Sequence, residues 1–450
     1  MKKLLPITTV PDNKLNEVTK KVTSFDIDLQ NQIRQMVDTL RSDKNGIGLS
    51  ANQVGFDNQV CIVEFVESKE KISIPLQVFI NPRIIEQSQE CETLVEGCLS
   101  VPQIELSVER SVKLKLKVQN EKGKIKKLTA KGILARILQH ELDHLNGIIF
   151  TNRIKEKLFS TNPNLKNIKI AFFGSGDFAA TILKGLILLD FNMEIFTEIA
   201  KPVGRSKELK PTAVGQLALD FQKKFVEVNN INQLNFPQFD LIITADFGKK
   251  IPDAILKSAK IAAINIHPSL LPKYRGATPI QSVILNGEKE TGISIIKMTS
   301  KIDQGPILAQ ITTEILPNEN SITLKKRLST LGLSLLIEIL PDIVSFKIAE
   351  KNQDESKATL TKKIVKEDGK INWQKSPTQI DRQIRAFYGW PKAFTFINNL
   401  RLIIHTAHLK DKKLVFDIVQ IEGKKPMTFK DFMKGFKGQK LDWFNKLKLE

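Results

Sequence analysis

At 450 residues the chain exceeds a single ordinary core and is expected to hold two to four domains. A hydrophobic share of 41% excludes disorder, three cysteines exclude a disulfide framework, and no apolar run nears the ~20 residues of a membrane-spanning helix. The net charge of +19 is uneven: residues 1–155 and 156–350 each carry 23 Lys+Arg against 19 Asp+Glu, whereas residues 351–450 carry 22 against 11.

The N-terminus, Met1-Lys2-Lys3-Leu4-Leu5-Pro6, has the charges of a signal peptide but no apolar stretch behind them, which points to a cytoplasmic protein with no membrane partner. Helical periodicity runs over about residues 129–145, where Gly147 can terminate it, and a first domain is expected over residues 1–155. A polar break at 160–164 precedes a buried-strand pattern at 168–173, which runs into Gly174 and a helix-like segment. Further strand patterns follow at 195–197, 241–243 and 261–266, with helical stretches between them. That alternation predicts an open parallel α/β sheet in a second domain over residues 168–350. A second polar stretch, 350–357, leads to short β-like runs at 401–405 and 413–417 in a last domain over residues 358–450. Its basic excess reads as a nucleic-acid footprint; the plainer alternative is a lysine-rich solvated surface.

His140-Glu141-Leu142-Asp143-His144 lies inside the predicted helix. A spacing of four puts both imidazoles on one face, within reach of a shared metal, and Glu141 can reach a metal-bound water as general base. Two unrelated histidines on an exposed helix face are the bland alternative. A catalytic zinc-type site needs a third protein ligand and an open position. Cys98, in Glu96-Gly97-Cys98-Leu99-Ser100, and the downstream Glu156 are the candidates. Together with Gly46-Ile47-Gly48-Leu49-Ser50-Ala51-Asn52-Gln53, these motifs, in this order, resemble the signature of the peptide deformylases over about residues 1–153.

The resemblance implies an α+β domain that hydrolyses the formyl group of nascent formylmethionyl peptides at the ribosome. It implies one divalent metal ion, commonly Fe²⁺ with Zn²⁺ or Ni²⁺ accepted, held by Cys98, His140 and His144, with Glu141 as acid and base. The oxyanion would be held by the metal, the Gln53 side-chain amide and the Leu99 backbone N–H. Cys61 and Cys91 carry no motif and are expected to be buried thiols.

Gly174-Ser175-Gly176-Asp177-Phe178-Ala179 formally matches a dinucleotide-binding fingerprint, with Glu198 where an acidic ribose ligand would lie. Later motifs point elsewhere. Asn265 and His267, two apart at the end of a strand pattern, face one side together, and the carboxyl ends of parallel strands are where such sheets place their sites. With Ser269-Leu270-Leu271-Pro272-Lys273-Tyr274-Arg275-Gly276 and Asp303-Gln304-Gly305, they resemble the 10-formyltetrahydrofolate-dependent formyltransferases. Lys201-Pro202-Val203-Gly204-Arg205, Arg385-Ala386-Phe387-Tyr388-Gly389-Trp390-Pro391 and Glu422-Gly423-Lys424-Lys425-Pro426-Met427 bring the resemblance closest to the methionyl-tRNA formyltransferases, over about residues 168–450.

That resemblance implies a Rossmann-like parallel α/β catalytic domain, a small OB-like β-barrel after it, and 10-formyltetrahydrofolate as co-substrate beside Ser269, Leu270, Leu271 and Pro272. Initiator methionyl-tRNA would be the acceptor, with Arg205 in the loop that meets its acceptor end. Asn265 would stabilise the oxyanion, His267 manage protons and Asp303 orient His267. The sequence departs from the family at residues 198–200, which lack a Pro-Asp, at Ala245-Asp246-Phe247-Gly248 in place of Ala-Tyr-Gly, and at a shortened stretch over 407–423. The whole reads as a bifunctional α/β and α+β multidomain enzyme. One rival is an active deformylase fused to a catalytically inactive tRNA- or ribosome-binding module; another is a zinc peptidase fused to a small-molecule formyltransferase, which the basic tail disfavours.

Overall fold

The computed structural model describes residues 4–68, 71–203, 208–234, 236–397 and 399–435. Two compact units divide the chain: residues 1–166 with 184–191, and residues 167–183 with 192–450. Among the described residues no helix is long and apolar enough to cross a membrane.

The first unit is α+β. Helix α1 (Ile27–Ser42) starts at Asp26, whose carboxylate accepts from Leu29 N at 3.0 Å. There follow β1 (Gly48–Ser50), β2 (Val60–Ser68), β3 (Lys71–Gln87), β4 (Cys91–Cys98), β5 (Val101–Ser111), β6 (Lys113–Gln119) and β7 (Ile125–Lys131). Helices α2 (Gly132–Leu145) and α3 (Phe150–Thr161) complete it. Five strands pair antiparallel in the order β1-β2-β3-β6-β7, and β4 pairs antiparallel with β5. Alternation sets the faces: Leu114, Leu116 and Val118 of β6 are buried while Lys113, Lys115 and Lys117 point outward. On β5 the same period turns Ile104, Leu106, Val108 and Arg110 inward. Helix α2 lays Ala135, Leu138, Leu142 and Leu145 against Cys61, Phe79, Leu114 and Leu116. It is buried nearly all round, so its polar side chains need partners inside the protein.

Two expectations shift here. The helix begins at Gly132 rather than 129, because β7 continues to Lys131 and Gly132 turns the chain at φ +55°. Its other end comes as expected, with Gly147 at φ +71° donating its N–H to His144 O at 3.0 Å. The expected domain end at residue 155 falls inside α3, which buries Phe150, Ile154 and Leu158; the division between the units falls after Lys166.

The second unit opens with β8 (Ile170–Gly174), α4 (Asp177–Leu188, of which residues 184–188 group with the first unit), β9 (Met193–Glu198), the β10 (Lys201–Val203) and β11 (Glu208–Lys210) pair, α5 (Ala213–Asp220) and β12 (Phe225–Val228). It continues with β13 (Leu241–Ala245), α6 (Asp253–Ser258), β14 (Ala262–His267), α7 (Pro279–Asn286), β15 (Glu290–Lys297), β16 (Ile307–Glu314) and α8 (Ser321–Val344). Seven strands form one sheet in the order β12-β9-β8-β13-β14-β15-β16. The first five are parallel and the last two antiparallel, so the expected parallel sheet carries an antiparallel edge. β8 and β13 are buried at every residue, as a sheet covered on both faces requires. Strand order reverses between β8 and β13, which opens a crevice at the carboxyl ends Gly174, Ala245 and His267.

Residues 350–357, read as a polar break between the second and last domains, fold back onto this domain: Lys351 and Ile307 exchange backbone hydrogen bonds at 2.7 and 2.8 Å. Beyond them lie α9 (Pro377–Ala386), β17 (Ala393–Ile397), β18 (Leu400–Lys410), β19 (Lys413–Ile421), β20 (Met427–Thr428) and α10 (Phe429–Lys434). The four strands pair antiparallel in linear order, without a closing pair among the described residues, over a core that includes Ile380, Ile384, Leu402, Leu414, Phe416 and Phe432. Asp411 and Lys412, both at positive φ, make the β18–β19 connection a two-residue turn, which accounts for the shortened stretch seen in the sequence.

Candidate active sites

In the first unit the motif residues converge. On α2 the imidazoles of His140 and His144 sit with ring centroids 4.9 Å apart, and Cys98 ends β4 beside them. One ligand atom from each of Cys98, His140 and His144 lies within 4.8 Å of the others, and Cys98 Sγ is 3.1 Å from His144 Nε2. Glu156 stands apart: its carboxylate is exposed and pairs with Arg153 at 3.3 Å. One sulfur and two imidazole nitrogens suit a divalent transition ion with a position left open. Burial works to raise the Cys98 thiol. The charge of His144 and hydrogen bonds from both imidazoles outweigh it and hold the group well below the usual thiol range, toward the thiolate a metal requires.

The cluster is braced by buried charge. His140 Nδ1 lies 3.0 Å from Glu96 Oε2, which leaves its other ring nitrogen as the ligand atom. Arg110 grips Glu96 with two hydrogen bonds of 3.0 Å, and Arg136 adds a third at 2.7 Å. Arg110 also donates to Asp143, which in turn accepts from Arg153 at 2.7 Å. Burial alone would raise Glu96, but the hydrogen bonds from His140 and Arg110 bring its pKa down to about 2.

Glu141 is buried, and its Oε2 accepts from Ser50 Oγ at 2.6 Å. Gly48 makes room for it, since a Cβ there would stand 2.4 Å from Glu141 Oε1. Burial raises the Glu141 pKa against the pull of His140 and His144, which suits a proton acceptor. Ser50 N fixes Gln53 Oε1 at 2.8 Å, so that Gln53 Nε2 lies 3.5 Å from Cys98 Sγ and 3.1 Å from Ser100 Oγ. Leu99 follows in the turn beyond β4. Cys61 is buried and its thiol is pushed up by burial, whereas Cys91 is exposed at the start of β4 and corrects the expectation of a buried thiol. Sequence reasoning missed Glu96, Arg110, Arg136 and Asp143 as a bracing network. The available signal was Arg110 itself, a charge on the apolar face of β5.

In the second unit Asn265 and His267 project from β14 to the same side. Asn265 Nδ2 donates to Asp303 Oδ1 at 3.2 Å, and His267 Nδ1 lies 3.7 Å from Asp303 Oδ2. His267 Nε2 is 3.0 Å from the Tyr274 carbonyl, which only accepts, so Nε2 carries a hydrogen and Nδ1 faces the carboxylate. Asp303, at φ +55°, is pinned by Gly276 N on Oδ2 at 2.8 Å and by Gln353 Nε2 on its carbonyl at 2.8 Å. Gln353 is held by Arg275 Nη2 at 2.8 Å, so the buried arginine of the loop after β14 supports Asp303 through residues read from sequence as a polar break. Asn265, His267 and Asp303 line a cavity of about 390 Å³ whose walls include Phe178, Phe247, Ile251, Ile280 and Met298.

Ser269, Leu270, Leu271 and Pro272, expected beside the cofactor, follow His267 in the loop after β14 and are not among the residues that line this cavity. Ser294 Oγ donates to Ser269 O at 2.7 Å and accepts from Leu271 N at 3.0 Å, and Leu271 packs on Ile296 and Ile307. These residues brace the loop that carries Tyr274 and Gly276. Around the glycine loop, Ser175 N and Gly176 N donate to Asp246 O at 3.1 and 3.4 Å. Asp246 Oδ2 sits 1.9 Å from where a Cβ on Gly176 would be, and Glu198 pairs with Lys201. The groups a pyrophosphate and a ribose would need are already used. Arg205 lies outside the described residues.

Comparison with known proteins agrees with this division. A family described as polypeptide deformylase matches residues 4–159, formyl transferase matches residues 168–340, and the formyl transferase C-terminal domain matches residues 363–414. The methionyl-tRNA formyltransferase of Staphylococcus aureus strain MW2 is 39% identical over 247 residues, 54% of this chain and 79% of that protein. Among solved structures, a Met-Ala-Ser-bound peptide deformylase from Acinetobacter baumannii is 33% identical, covering 34% of this chain and 99% of its own, with a TM-score of 0.33. The peptide deformylase from Thermotoga maritima is 35% identical, covering 34% and 97%, with a TM-score of 0.31. The chain belongs to the methionyl-tRNA formyltransferase family and carries, ahead of that part in the same polypeptide, a polypeptide deformylase domain.

Proposed function

We propose that this chain runs two opposite formyl-group reactions at separate sites. One removes the formyl group from nascent formylmethionyl peptides at the ribosome. The other transfers formyl from 10-formyltetrahydrofolate to the α-amine of initiator methionyl-tRNA. The convergence of Cys98, His140 and His144 beside Glu141 carries the first reading, and the contact of Asn265 and His267 with Asp303 inside a cavity carries the second. Both substrates are cytoplasmic, and so is the chain on this reading.

A divalent ion at Cys98, His140 and His144, iron or zinc, supplies Lewis acidity when bound. Glu141 accepts the proton of the attacking water and returns it to the departing amine. Gln53 Nε2 and the Leu99 N–H donate to the formyl oxygen as it gains charge. At the second site the methionyl amine attacks the formyl carbon, and Asn265 Nδ2 donates to the oxygen. His267 Nδ1, set by Asp303, takes the amine proton as the new C–N bond forms and passes it to folate N10 as the bond from N10 to the formyl carbon breaks.

The work divides among three domains: a metal domain, whose end we place at Lys166 rather than 155, a Rossmann-like catalytic domain over residues 168–350, and a reduced OB-like domain over residues 358–450 for tRNA. An inactive tRNA- or ribosome-binding module would have no use for the convergence of Asn265, His267 and Asp303. Purified chain should both release formate from formyl-Met-Ala-Ser and formylate Met-tRNA with the folate donor; release without formylation would establish the inactive module instead. Deleting residues 358–450 should raise the KM for Met-tRNA and flatten its salt dependence by ~0.7–0.9 log unit per lost phosphate contact per decade of salt. An unchanged slope would leave those lysines an ordinary solvated surface.

A further inference from the structure

The outer face of the five-stranded sheet in the first unit carries more cations than acids. Strand register sets Arg83 of β3 opposite Lys117 of β6, and Lys117 opposite Lys127 of β7. Further along the same pair of strands Lys113 stands opposite Lys131. All five are exposed, and among the described residues none of the five is in an ion pair. The acid that the register places among them, Glu86, is already taken by Lys115 at 2.7 Å.

Neighbouring strands lie ~4.8 Å apart and same-face side chains repeat every ~6.8 Å. The five cations therefore form a two-dimensional array on one pleated surface. Like charges directly opposite each other on paired strands are destabilising, and the inward residues Leu114, Leu116 and Val118 already supply what folding needs from β6. The array works against the fold unless an anion covers it.

We propose that this face docks the phosphodiester backbone of RNA, independently of either catalytic reading. Four of the five cations are lysines, whose compact ammonium groups suit single phosphate oxygens. The array positions carry no aromatic ring on which a base could stack, so recognition is by backbone charge and not by sequence. A second copy of the chain, at +19, is repelled on net charge. An anionic lipid surface is the competing occupant: Ile125 is exposed on the β7 face that carries Lys127, but Thr129 and the Glu86–Lys115 pair lie among the cations and the outward positions of β6 hold no apolar side chain to insert.

The test uses the full chain and a fluorescein-labelled oligouridylate of about 20 nucleotides, with anisotropy followed across a salt titration. The triple variant Arg83→Ala, Lys117→Ala, Lys127→Ala is compared with a control of equal charge loss, Lys14→Ala, Lys44→Ala, Lys223→Ala, at exposed lysines away from this face. The face variant should bind at least ~10-fold more weakly at low salt, with a log–log salt slope smaller by about 2, while the control stays close to wild type. Formate release in both variants should match wild type, which shows that the fold is intact. Equal losses in the two triples, or none in the face variant, would overturn the proposal. So would a face variant that keeps RNA but loses binding to phosphatidylglycerol vesicles, which would assign the surface to lipid.

Discussion

Around Cys98, His140 and His144 nearly every functional side chain is held by a second buried side chain, whereas Asn265 and His267 share one carboxylate. Glu96, Arg110, Arg136 and Asp143 form a continuous charged brace behind the ligands, and Ser50 fixes both Glu141 and Gln53. In the second unit strand register aims Asn265 and His267, and Asp303 is kept in place by a loop amide and by Gln353. The contrast follows from the chemistry. A metal site must fix several ligand directions at once and shield them from water. A cavity for two mobile substrates needs a few aimed groups and room between them.

Loss of a single ligand should do the most damage. Cys98→Ala or His144→Ala should each abolish metal retention, read by elemental analysis, and formate release with it, because three ligands leave no redundancy. A variant at Cys98 that stays metal-replete and active would assign the site to another ligand set, with Glu156 first in line. Next comes Asp303→Ala, which removes the group that both Asn265 and His267 touch. It should lower kcat for Met-tRNA formylation by ~10²–10⁴ and leave formate release unchanged. The brace gives a smaller effect. Glu96→Gln should weaken metal affinity by ~10–100-fold. It should also lower stability by about 3–5 kcal/mol in thermal or denaturant unfolding, because Arg110 and Arg136 are left buried beside a neutral amide. Loss of stability with metal affinity unchanged would make Glu96 a folding residue only.

Much of this was legible before the fold was known, and what was hidden has physical reasons. The three metal ligands and Glu141 stand in compact motifs, and Asn265 and His267 needed only the two-residue period of a strand. Strand patterns at 168–173, 241–243 and 261–266 became β8, β13 and β14, because buried parallel strands read as continuous apolar runs. The seven strands of the first unit gave no comparable signal. Apart from the alternation of β5 and β6 their patterns are mixed, with Leu94 and Val95 of β4 and Ile125 of β7 exposed, and partners such as β3 and β6 are far apart in sequence. The brace was invisible for the same reason: Arg110 lies 33 residues from Asp143 and 14 from Glu96. Residues 350–357 looked like a break because they are polar, yet Gln353 is polar in order to reach Arg275 and the Asp303 carbonyl. Ser269–Pro272 stood out as a motif, and what the motif alone did not show is that Ser294 and Gln310 hold its backbone.

Two single substitutions assayed for both reactions test the central claim, two independent formyl chemistries in one chain, most directly. Wild type should release formate from formyl-Met-Ala-Ser and formylate Met-tRNA. Glu141→Ala should keep its metal, lose formate release by ~10²–10⁴ and formylate at the wild-type rate. Asn265→Ala should do the reverse, losing ~10²–10³ in formylation with formate release intact. A wild-type chain that cannot formylate Met-tRNA, or either substitution extinguishing both reactions, would contradict the account.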